Sequence, residues 1–366
     1  MIRAVAAILV CATAGCGALI QRIRAESWAP PQFAWADPSA PAVTAAVPFH
    51  GWHQSYHYTA RREPSGVTSA LRAVAMFRDA VYAAGDDGVM LRRTARTGWV
   101  REPTPTTRTL RGLLGDALFN SDVIAVGDAG TVLRRSPDGT WIPEAVPTTA
   151  DLYGITTDGY ALYAVGDHGT LLQRDGGTWR AIPTHTTADL RSFDGTIAIG
   201  RGGAIVDCRA WDTGARPPDL HCVPRRSPTR ADLLASLGGQ IDWRAYGTGG
   251  TRVRATRRAP IDAVLDAAPT DATITAAADA SETLAQLITM PGDDGDTAQG
   301  SVASILVGTG GTIEILGDQR VQLAIPGAPD LLGVALELTD VFVVGAGGTI
   351  VHLQTDDVPI VVTILV

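Results

Sequence analysis

Residues 161–179, ALYAVGDHGTLLQRDGGTW, contain two apolar runs joined by a glycine-rich turn. The runs are residues 162–165 and 170–172, and the turn between them is Gly166-Asp167-His168-Gly169. Glycine adopts positive φ without steric cost, and aspartate can accept hydrogen bonds from the backbone of its own turn. The stretch therefore predicts two antiparallel strands that pair as a hairpin.

The same Gly-x-x-Gly turn occurs seven times along the chain. It begins at Gly85, Gly127, Gly166, Gly200, Gly247, Gly308 and Gly345. A leucine opens a short apolar run before each turn, at Leu71, Leu110, Leu152, Leu190, Leu233, Leu284 and Leu331. Four of these leucines lie 14 residues before their glycine (71 to 85, 152 to 166, 233 to 247 and 331 to 345). Two independent landmarks at one spacing indicate seven sequence repeats.

Each repeat contains four short apolar runs, and the last run carries a tryptophan in the early repeats (Trp99, Trp141 and Trp179). Four short strands in about 40 residues are typical of a β-propeller blade. The predicted fold is therefore all-β: a seven-bladed propeller of four-stranded antiparallel blades over residues 67–366. Its repeats start near residues 71, 110, 152, 190, 233, 284 and 331, with insertions near 209–230 and 259–300.

Two segments could supply the strand that closes the ring. Residues 358–366 (VPIVVTILV) are strongly β-forming and would add the last strand of the seventh blade. Residues 55–61 could instead close the ring from the N-terminal side. The sequence leaves both possibilities open.

The first 24 residues are typical of an export signal, because the first twenty contain a single charge, Arg3, followed by an apolar run. Thr13-Ala14-Gly15-Cys16 resembles the lipobox of bacterial lipoproteins, although Thr13 stands where leucine is usual. We expect Cys16 to be lipidated, with a cleaved soluble signal and an uncleaved anchor as the alternatives. Residues 25–66 are a Pro/Ala-rich linker and N-terminal extension, expected to hold the propeller away from a membrane.

Two short segments contain residue types that bind metals. His50, His53 and His57 could contribute to a zinc or copper site, but no cysteine or carboxylate lies among them, which favours an aromatic-rich strand or loop on the propeller. Asp293, Asp294 and Asp296 lack the spacing of an EF-hand loop and are interpreted as a solvated turn. No metal or other cofactor is predicted.

The predicted exported domain contains two cysteines, Cys208 and Cys222, because Cys11 and Cys16 lie in the targeting segment. In an oxidising compartment these two residues are expected to form a disulfide around a Pro-rich excursion. Such a bond would stabilise the fold by about 3 kcal/mol. A zinc site that adds His221 is the alternative, and it lacks a fourth ligand.

The charged residues are distributed unevenly. All 30 basic residues are arginine; residues 201–258 carry eleven arginines and five aspartates, whereas residues 259–300 carry eight acidic residues and no arginine. A candidate patch for an acidic protein partner comprises Arg225, Arg226, Arg230, Arg252, Arg254, Arg257 and Arg258. Mutual neutralisation of the two stretches is the alternative. The net charge of −8 argues against a nucleic-acid partner.

Two turns resemble Asp-box turns, residues 136–141 (SPDGTW) and 175–179 (DGGTW). In such turns the aspartate accepts backbone N–H groups and the tryptophan packs between blades. The wider pattern, L-x-x-V, then V-x-A-V-G-D-x-G-T-I/L-L-R, then D-G-G-T-W, resembles the propeller family of the photosystem II stability and assembly factor, within the BNR/Asp-box group. The resemblance is clearest over residues 110–141 and 152–179 and returns over 331–353. It implies an exported, non-enzymatic assembly scaffold whose basic surface binds partner proteins.

The sequence contains no G-x-S-x-G, H-E-x-x-H or P-loop motif, and no catalytic residues are assigned. We therefore predict a non-enzymatic scaffold, anchored at the cell envelope by lipid, that mediates protein–protein interaction or complex assembly. The alternative is a carbohydrate-binding or glycan-hydrolysing propeller of the sialidase-like group. Convergent arginines and carboxylates at the channel mouth would favour that alternative, and a channel of small and apolar residues would favour the scaffold.

Overall fold

The computed structural model describes residues 32–33, 43–44, 46–49, 52–116, 122–211, 219–238, 242–256, 263–266, 271–279, 289–291, 297–299, 304–316, 320–324, 327–337 and 340–355. Several predictions from the sequence fall outside this part of the chain. They concern Cys16, His50, Asp293, Asp294, Asp296, Arg257, Arg258, Leu284 and residues 358–366.

The described chain is built almost entirely of strands. Four strands lie at its N-terminal end: β1 (Gln32–Phe33), β2 (Val43–Thr44), β3 (Ala46–Phe49) and β4 (Trp52–Arg62). Blade 1 contains β5 (Leu71–Phe77), β6 (Ala80–Gly85), β7 (Met90–Thr94) and β8 (Gly98–Arg101). Blade 2 contains β9 (Leu110–Asp116), β10 (Asp122–Gly127), β11 (Thr131–Arg135) and β12 (Trp141–Pro143). Blade 3 contains β13 (Leu152–Thr157), β14 (Leu162–Gly166), β15 (Leu171–Asp175) and β16 (Thr178–Ala181).

The remaining blades repeat this arrangement. Blade 4 contains β17 (Leu190–Phe193), β18 (Ile197–Gly200), β19 (Ile205–Trp211) and β20 (Asp219–Arg225). Blade 5 contains β21 (Leu233–Gly238), β22 (Asp242–Gly247), β23 (Arg252–Thr256) and β24 (Val264–Leu265). Blade 6 contains β25 (Ile274–Asp279), β28 (Ser304–Gly308), β29 (Thr312–Leu316) and β30 (Arg320–Ala324). Between its first two strands lies a separate hairpin of β26 (Thr289–Pro291) and β27 (Thr297–Gln299). Blade 7 contains β31 (Leu331–Glu337), β32 (Asp340–Gly345) and β33 (Thr349–Thr355).

The first strand of every blade contacts the first strands of the two neighbouring blades, and β31 contacts β5, so the seven inner strands form a closed ring. The fold is a seven-bladed β-propeller. This confirms the predicted fold class. The core is divided among the interfaces between blades; Tyr82 and Met90 of blade 1, for example, are buried against Leu110 and Trp141 of blade 2.

The N-terminal strand β4 closes the ring. It pairs antiparallel with β33, with Arg62 opposite Val351 and Tyr58 opposite Thr355, and β3 adds a fifth strand outside it. Of the two closing segments that the sequence allowed, the structure uses residues 55–61 within β4. The predicted propeller boundary at residue 67 is therefore too late, because β4 belongs to blade 7.

The predicted start of the sixth repeat at Leu284 is wrong. The inner strand of blade 6 is β25, whose Ile274 pairs with Gly308, as Leu71 pairs with Gly85 in blade 1. Isoleucine fills the buried position that leucine occupies elsewhere, and residues 280–303 separate β25 from β28. The predicted insertion over 259–300 therefore contains two blade strands, β24 of blade 5 and β25 of blade 6.

The two glycines of each turn serve different steric purposes. In blade 1, Gly85 is extended (φ −169°), and a Cβ there would lie 1.9 Å from the carbonyl oxygen of Ala70. Gly88 has φ +65°, and a Cβ there would lie 2.0 Å from the carbonyl oxygen of Thr106 in the linker to blade 2. The first glycine thus leaves room for the backbone at the start of its own inner strand. The second leaves room for the backbone of the linker to the next blade.

The turn aspartates do not cap their own turns, contrary to the sequence interpretation. The side chain of Asp86 accepts hydrogen bonds from Arg72, and that of Asp128 accepts one from Arg111. Each arginine lies on the inner strand of the same blade as its aspartate.

Side-chain oxygens of the linkers join successive blades. The backbone N–H of the middle turn residue donates to the side chain just before the next inner strand, at Ala129 to Asp151, His168 to Asp189, Gly202 to Asp232, Gly249 to Thr273 and Gly310 to Asp330.

A glutamate after an outer strand fastens each of three successive interfaces. We call each group of glutamate, arginine and tryptophan a carboxylate clasp. Glu63, Glu102 and Glu144 accept hydrogen bonds from the indole nitrogens of Trp99, Trp141 and Trp179 at 2.6, 2.9 and 2.8 Å. The same carboxylates hold Arg93, Arg135 and Arg174 through two hydrogen bonds each. These residues tie the outer edges of blades 7, 1, 2 and 3 together.

The contacts expected of the turn at residues 136–141 are present. Asp138 accepts hydrogen bonds from the backbone N–H of Thr140 and the hydroxyl of Ser136. Trp141 is buried with its ring edge against Tyr82 of the preceding blade, at 6.3 Å between centroids. The tryptophan of the second turn, Trp179, is likewise buried in a cluster that spans blades 2 and 3.

The predicted disulfide between Cys208 and Cys222 is present. The two residues lie directly opposite each other on β19 and β20 and are buried. Because their sulfur atoms are bonded to each other, the alternative zinc site with His221 does not form. In the described part of the chain, no helix is long and apolar enough to cross a lipid bilayer.

Candidate protein-binding face

The turn face is the end of the propeller formed by the seven Gly-x-x-Gly turns and the linkers between successive blades. Each inner strand begins at this face, because its first residue pairs with the first turn glycine, as Leu71 pairs with Gly85. The opposite end carries the connections from first to second and from third to fourth strands.

Each inner strand has a β-bulge at its second residue. The register skips this residue in all seven blades, for example between Leu71 and Ala73 or between Leu152 and Gly154. We call the seven skipped residues the mouth ring: Arg72, Arg111, Tyr153, Arg191, Leu234, Thr275 and Leu332. Bulges direct side chains out of the strand ladder and recur next to functional sites. The mouth ring therefore places seven half-buried side chains around the opening of the central channel on the turn face.

Blades 1 to 4 contribute a charged and aromatic arc to the mouth ring. The guanidinium of Arg191 lies 3.5 Å, and that of Arg111 5.1 Å, from the centroid of the Tyr153 ring, so the tyrosine is flanked by two cations. Each arginine is also held by an aspartate. Arg72 Nη2 donates to Asp86 Oδ2 at 3.0 Å, Arg111 donates to Asp128, and Arg191 lies 3.7 Å from Asp189.

The pKa shifts in this arc follow from these contacts. The hydrogen bond from Arg72 lowers the pKa of Asp86, against a smaller opposing effect of burial. Burial and a hydrogen bond to Asp167 raise the pKa of Tyr153, although Arg191 acts in the other direction. Burial alone would lower the pKa of Arg111, but Asp128 raises it. At neutral pH the arc therefore presents fixed cations around a neutral phenol.

Blades 5 to 7 contribute an uncharged arc. The mouth-ring residues are Leu234, Thr275 and Leu332, and the hydroxyl of Thr275 donates to the carbonyl oxygens of Val307 and Leu331. The turns of these blades are Thr-Gly-Gly, Thr-Gly-Gly and Ala-Gly-Gly, without a charged residue. The mouth-ring and turn residues are thus charged or aromatic in one half of the ring and uncharged in the other.

Small residues follow the bulges and bring the inner strands close together. A Cβ on Gly154 would lie 3.0 Å from the carbonyl oxygen of Arg191, and one on Gly333 would lie 2.8 Å from that of Arg72. The backbones of neighbouring inner strands are therefore in direct contact beside the mouth ring, which fixes the positions of its residues relative to one another. The mouth ring contains an arginine and aspartate cluster of the kind that the sequence analysis associated with a glycan-directed propeller.

One member of the predicted arginine patch is buried. Arg252 is buried, with its Nη2 2.8 and 2.7 Å from the two carboxylate oxygens of Glu314 in blade 6, and so leaves the patch. Arg225 is half-buried and pairs with Asp207 at 2.8 Å, whereas Arg226, Arg230 and Arg254 are exposed. Sequence alone did not reveal that Arg252 opens β23 at the interface between two blades.

The predicted histidine site is not tested. His50 and the side chains of His53 and His57 lie outside the described part of the structure. Three imidazoles at this position remain a prediction from the sequence.

Neither a protein-family model nor a curated protein sequence matches this chain. Solved structures do. YCF48 bound to D1 peptide is 14% identical, with a TM-score of 0.58 over 85% of this chain and 98% of that one. Virginiamycin B lyase from Staphylococcus aureus is 12% identical, with a TM-score of 0.62 over 81% and 99%. The WD40 propeller domain of Doa1 is 10% identical, with a TM-score of 0.56 over 80% and 96%.

The likeness is one of fold. At these identities the similarity supports a β-propeller and assigns no activity. The resemblance to the photosystem II stability and assembly factor family is supported to that extent, since a second YCF48 structure, from Cyanidioschyzon merolae, matches with a TM-score of 0.53. The similar structures include YCF48, a WD40 propeller and a lyase.

Sequence reasoning missed the mouth ring. Its residues directly follow the leucine landmark, in L-R, L-R, L-Y and L-R in the first four blades, so the signal was present. It was not interpreted because a bulge cannot be recognised from alternating hydrophobicity. The carboxylate clasps were missed because glutamate and tryptophan lie 35 to 39 residues apart.

Proposed function

We propose that this protein is an exported, non-enzymatic scaffold that binds a polypeptide partner through the mouth ring at the bacterial cell envelope. One observation carries the proposal: seven β-bulges place the mouth ring at one face, with Arg111, Tyr153 and Arg191 stacked together and Leu234 and Leu332 among the uncharged residues. A polypeptide offers both polar and apolar groups, which matches a face divided in this way.

The residue types and their fixed positions suit protein binding. Arginine and tyrosine are enriched among the residues that dominate binding energy at interfaces. The aspartates hold the guanidinium groups in place before a partner arrives, which reduces the side-chain entropy lost on binding. Each cation in the arc is already paired with an aspartate of its own blade, so the arc is suited to specific contacts more than to a general attraction for acids.

The comparisons and the sequence support this proposal in different respects. YCF48 is described in complex with a peptide, on the same fold. Export and a lipid anchor rest on the sequence of residues 1–24 and on Cys16. The buried disulfide between Cys208 and Cys222 fits an oxidising compartment outside the cytoplasm.

A glycan-directed propeller is the second candidate. The arginines of the mouth ring and their aspartates are the kind of cluster that the sequence analysis associated with it, and one similar structure is a lyase. Release of sugar from sialyl and other aryl glycosides, measured with the purified protein, tests this alternative. We expect no release above that of a Tyr153→Ala variant.

The binding proposal is tested by photocrosslinking in the cells that produce the protein. A photoreactive residue at Leu332, on the mouth ring, should give a discrete adduct with a partner protein. The same residue at Tyr160, which is 54% exposed at the opposite end of blade 3, is the matched control and should give none. An Arg191→Ala substitution should reduce the Leu332 adduct. Equal adducts from both positions, or none from Leu332, would contradict the proposal.

The anchor is tested separately by the intact mass of the mature protein. A diacylglyceryl-modified Cys16 at the N-terminus supports attachment to the envelope. A mature chain that begins after Cys16 would remove the anchor and leave a secreted binding protein.

A further inference from the structure

The rim of the turn face carries two corresponding grooves on neighbouring blades. The blade-2 groove is lined by residues 104–108, 130–133 and 143–144 and has a volume of about 640 Å³. The blade-3 groove is lined by residues 147–148, 168–172 and 181–186 and has a volume of about 280 Å³. In each blade the start of the third strand forms the floor, and two successive linkers form the walls. The linker between blades 2 and 3 contributes a wall to both grooves.

We propose that the two grooves together bind an extended acidic segment of the partner protein. The proposal rests on the binding function proposed above and adds a second contact surface and the chemistry of the partner. Three features of the walls support it: the hydroxyl donors, the charged side chains, and the conformation and exposure of two histidines.

The walls offer a row of equivalent hydroxyl donors. Thr106, Thr148 and Thr186 occupy the same position in three successive linkers, and each side-chain oxygen accepts a hydrogen bond from the backbone N–H two residues later, at 3.0, 3.0 and 3.2 Å. A hydroxyl that accepts in this way retains its own O–H to donate. No acceptor for these O–H groups occurs among the residues that the structure describes. The row is therefore matched by a ligand rich in acceptors, such as carboxylates and backbone carbonyls.

The exposed ionisable groups of the walls are one arginine and two histidines. Arg108, His168 and His185 are exposed at the rims of the two grooves. The acidic lining residue, Glu144, is already bound by Arg134, Arg174 and the indole of Trp179. Asp189, which accepts the backbone N–H of His168, lies within 3.7 Å of both Arg191 and Arg201. An acidic segment thus meets a guanidinium, two imidazoles and hydroxyl donors, with Glu144 and Asp189 already paired with arginines.

Both histidines of the blade-3 groove adopt positive φ. His168 has φ +56°. The middle turn residue is Asp87 (φ +58°) in blade 1 and Ala129 (φ +51°) in blade 2, and it is glycine in blades 4 to 7. His185 also has φ +56°, in Thr184-His185-Thr186. The corresponding segment before blade 1 is Ser65-Gly66-Val67, where Gly66 has φ +72°. The hydroxyls of Ser65 and Thr184 face the same turn glycine in their blades, Gly348 and Gly169, which establishes the correspondence.

Both imidazoles are exposed at the rim of one groove. Positive φ is unfavourable for residues with a Cβ, so neither histidine favours its backbone conformation. Among the described residues, neither imidazole makes a hydrogen bond within the protein. In this proposal, both donate to carboxylates of the bound segment.

The test uses a fluorescein-labelled peptide of about twelve residues, spanning ~40 Å when extended, in which glutamate alternates with valine. A second peptide with lysine in place of glutamate is the control. Fluorescence anisotropy should show binding of the acidic peptide and none of the basic one. The double variant His168→Gly/His185→Gly should weaken binding about tenfold, as expected for loss of charge-assisted hydrogen bonds. Its thermal unfolding midpoint should equal or exceed that of the parent, because glycine relieves the strain.

The combination of these readouts separates a binding role from a structural one. His221→Gln, an exposed histidine on β20 away from both grooves, should leave peptide affinity unchanged. Unchanged affinity in the double variant, or equal binding of acidic and basic peptides, would overturn the proposal. If the acidic peptide fails to bind while crosslinks from Leu332 persist, the groove assignment is wrong and the scaffold function stands. If peptide binding persists without crosslinks from Leu332, the grooves are the binding surface and the mouth ring is not.

Discussion

Glu63 is the residue through which the two ends of the ring are fastened. It accepts hydrogen bonds from Arg93 and Trp99 of blade 1, and it lies 3.1 Å from Nδ1 of His352 in blade 7. The other imidazole nitrogen of His352 is 2.6 Å from Asp340, and its ring stacks on Phe342 at 4.2 Å between centroids. Burial alone would raise the pKa of Glu63, but the hydrogen bonds from His352, Arg93 and Trp99 lower it from 4.5 to about 2.

Glu63→Gln should therefore destabilise the protein and change its response to acid. A carboxylate with a lowered folded pKa contributes stability above its unfolded pKa, and this contribution is lost as the pH falls through about 2. We expect a loss of about 2 to 3 kcal/mol in the free energy of unfolding at pH 7. Chemical denaturation at pH 7 and pH 2.5 should show a smaller difference between the two pH values in the variant. Glu102→Gln, in a clasp without a histidine, is the control and should cost less.

The buried pair of Arg252 and Glu314 should behave differently when one or both partners are replaced. Glu314→Gln leaves the guanidinium buried without its counter-charge and should cost about 3 to 5 kcal/mol. The double variant Arg252→Met/Glu314→Leu should recover most of that loss, because it buries no charge. Urea unfolding of both variants measures the difference. A double variant less stable than the single one would show that the pair contributes net stability.

At the scale of the element, the Gly-x-x-Gly turn needs glycine for two different reasons: lack of space for a Cβ at one position and a positive φ at another. Gly85→Ala places a Cβ against the carbonyl oxygen of Ala70 and should cost several kcal/mol, since only backbone can move away. Gly202→Ala meets nothing within 4 Å and carries only the penalty of its positive φ, about 1 to 2 kcal/mol. Thermal unfolding of the two variants should therefore rank Gly85→Ala as clearly the less stable. Equal losses would show that conformation alone explains both glycines.

Blade 4 depends on its disulfide where blades 1 to 3 use a carboxylate clasp. Its outer strand β20 contains no tryptophan, and Cys208 and Cys222 join it covalently to β19. Cys208→Ser/Cys222→Ser should lower the free energy of unfolding by about 3 kcal/mol. Reductant should destabilise the parent protein to a similar level and leave the double variant unchanged. Insensitivity of the parent to reductant at equilibrium would contradict this prediction.

The elements that sequence predicted well are those whose spacing follows from backbone sterics. The turn glycines and Leu71, Leu110 and Leu331 recur because every blade needs the same close approach at the same place. Ile274 escaped detection because a different aliphatic residue and a long insertion broke the pattern. Arg252 was assigned to the surface because charge in a sequence does not reveal burial. The mouth ring was missed because a β-bulge depends on pairing with a strand elsewhere in the chain.

At the scale of the whole molecule, ring closure by β4 predicts that the N-terminal strand is essential to the fold. A chain that starts at Glu63 lacks the outer strand of blade 7 and leaves β33 with an unpaired edge. We expect it to unfold at a lower temperature, with a broader transition, and to associate with other chains. A synthetic peptide of residues 46–62 should restore cooperative unfolding. Light scattering and calorimetry with and without this peptide measure both effects.

The position of β4 also sets an order in time. The strand is synthesised near the beginning of the chain, and its partner β33 follows roughly 290 residues later, so the contact is among the least local in the protein. Blade 7 cannot form until residues 349–355 have emerged, and until then two strand edges remain open to incorrect pairing. A chain exported in an unfolded state would therefore cross the membrane with its ring incomplete. Chaperones or assembly partners on the far side would first meet an open arc of blades, and the finished ring only afterwards.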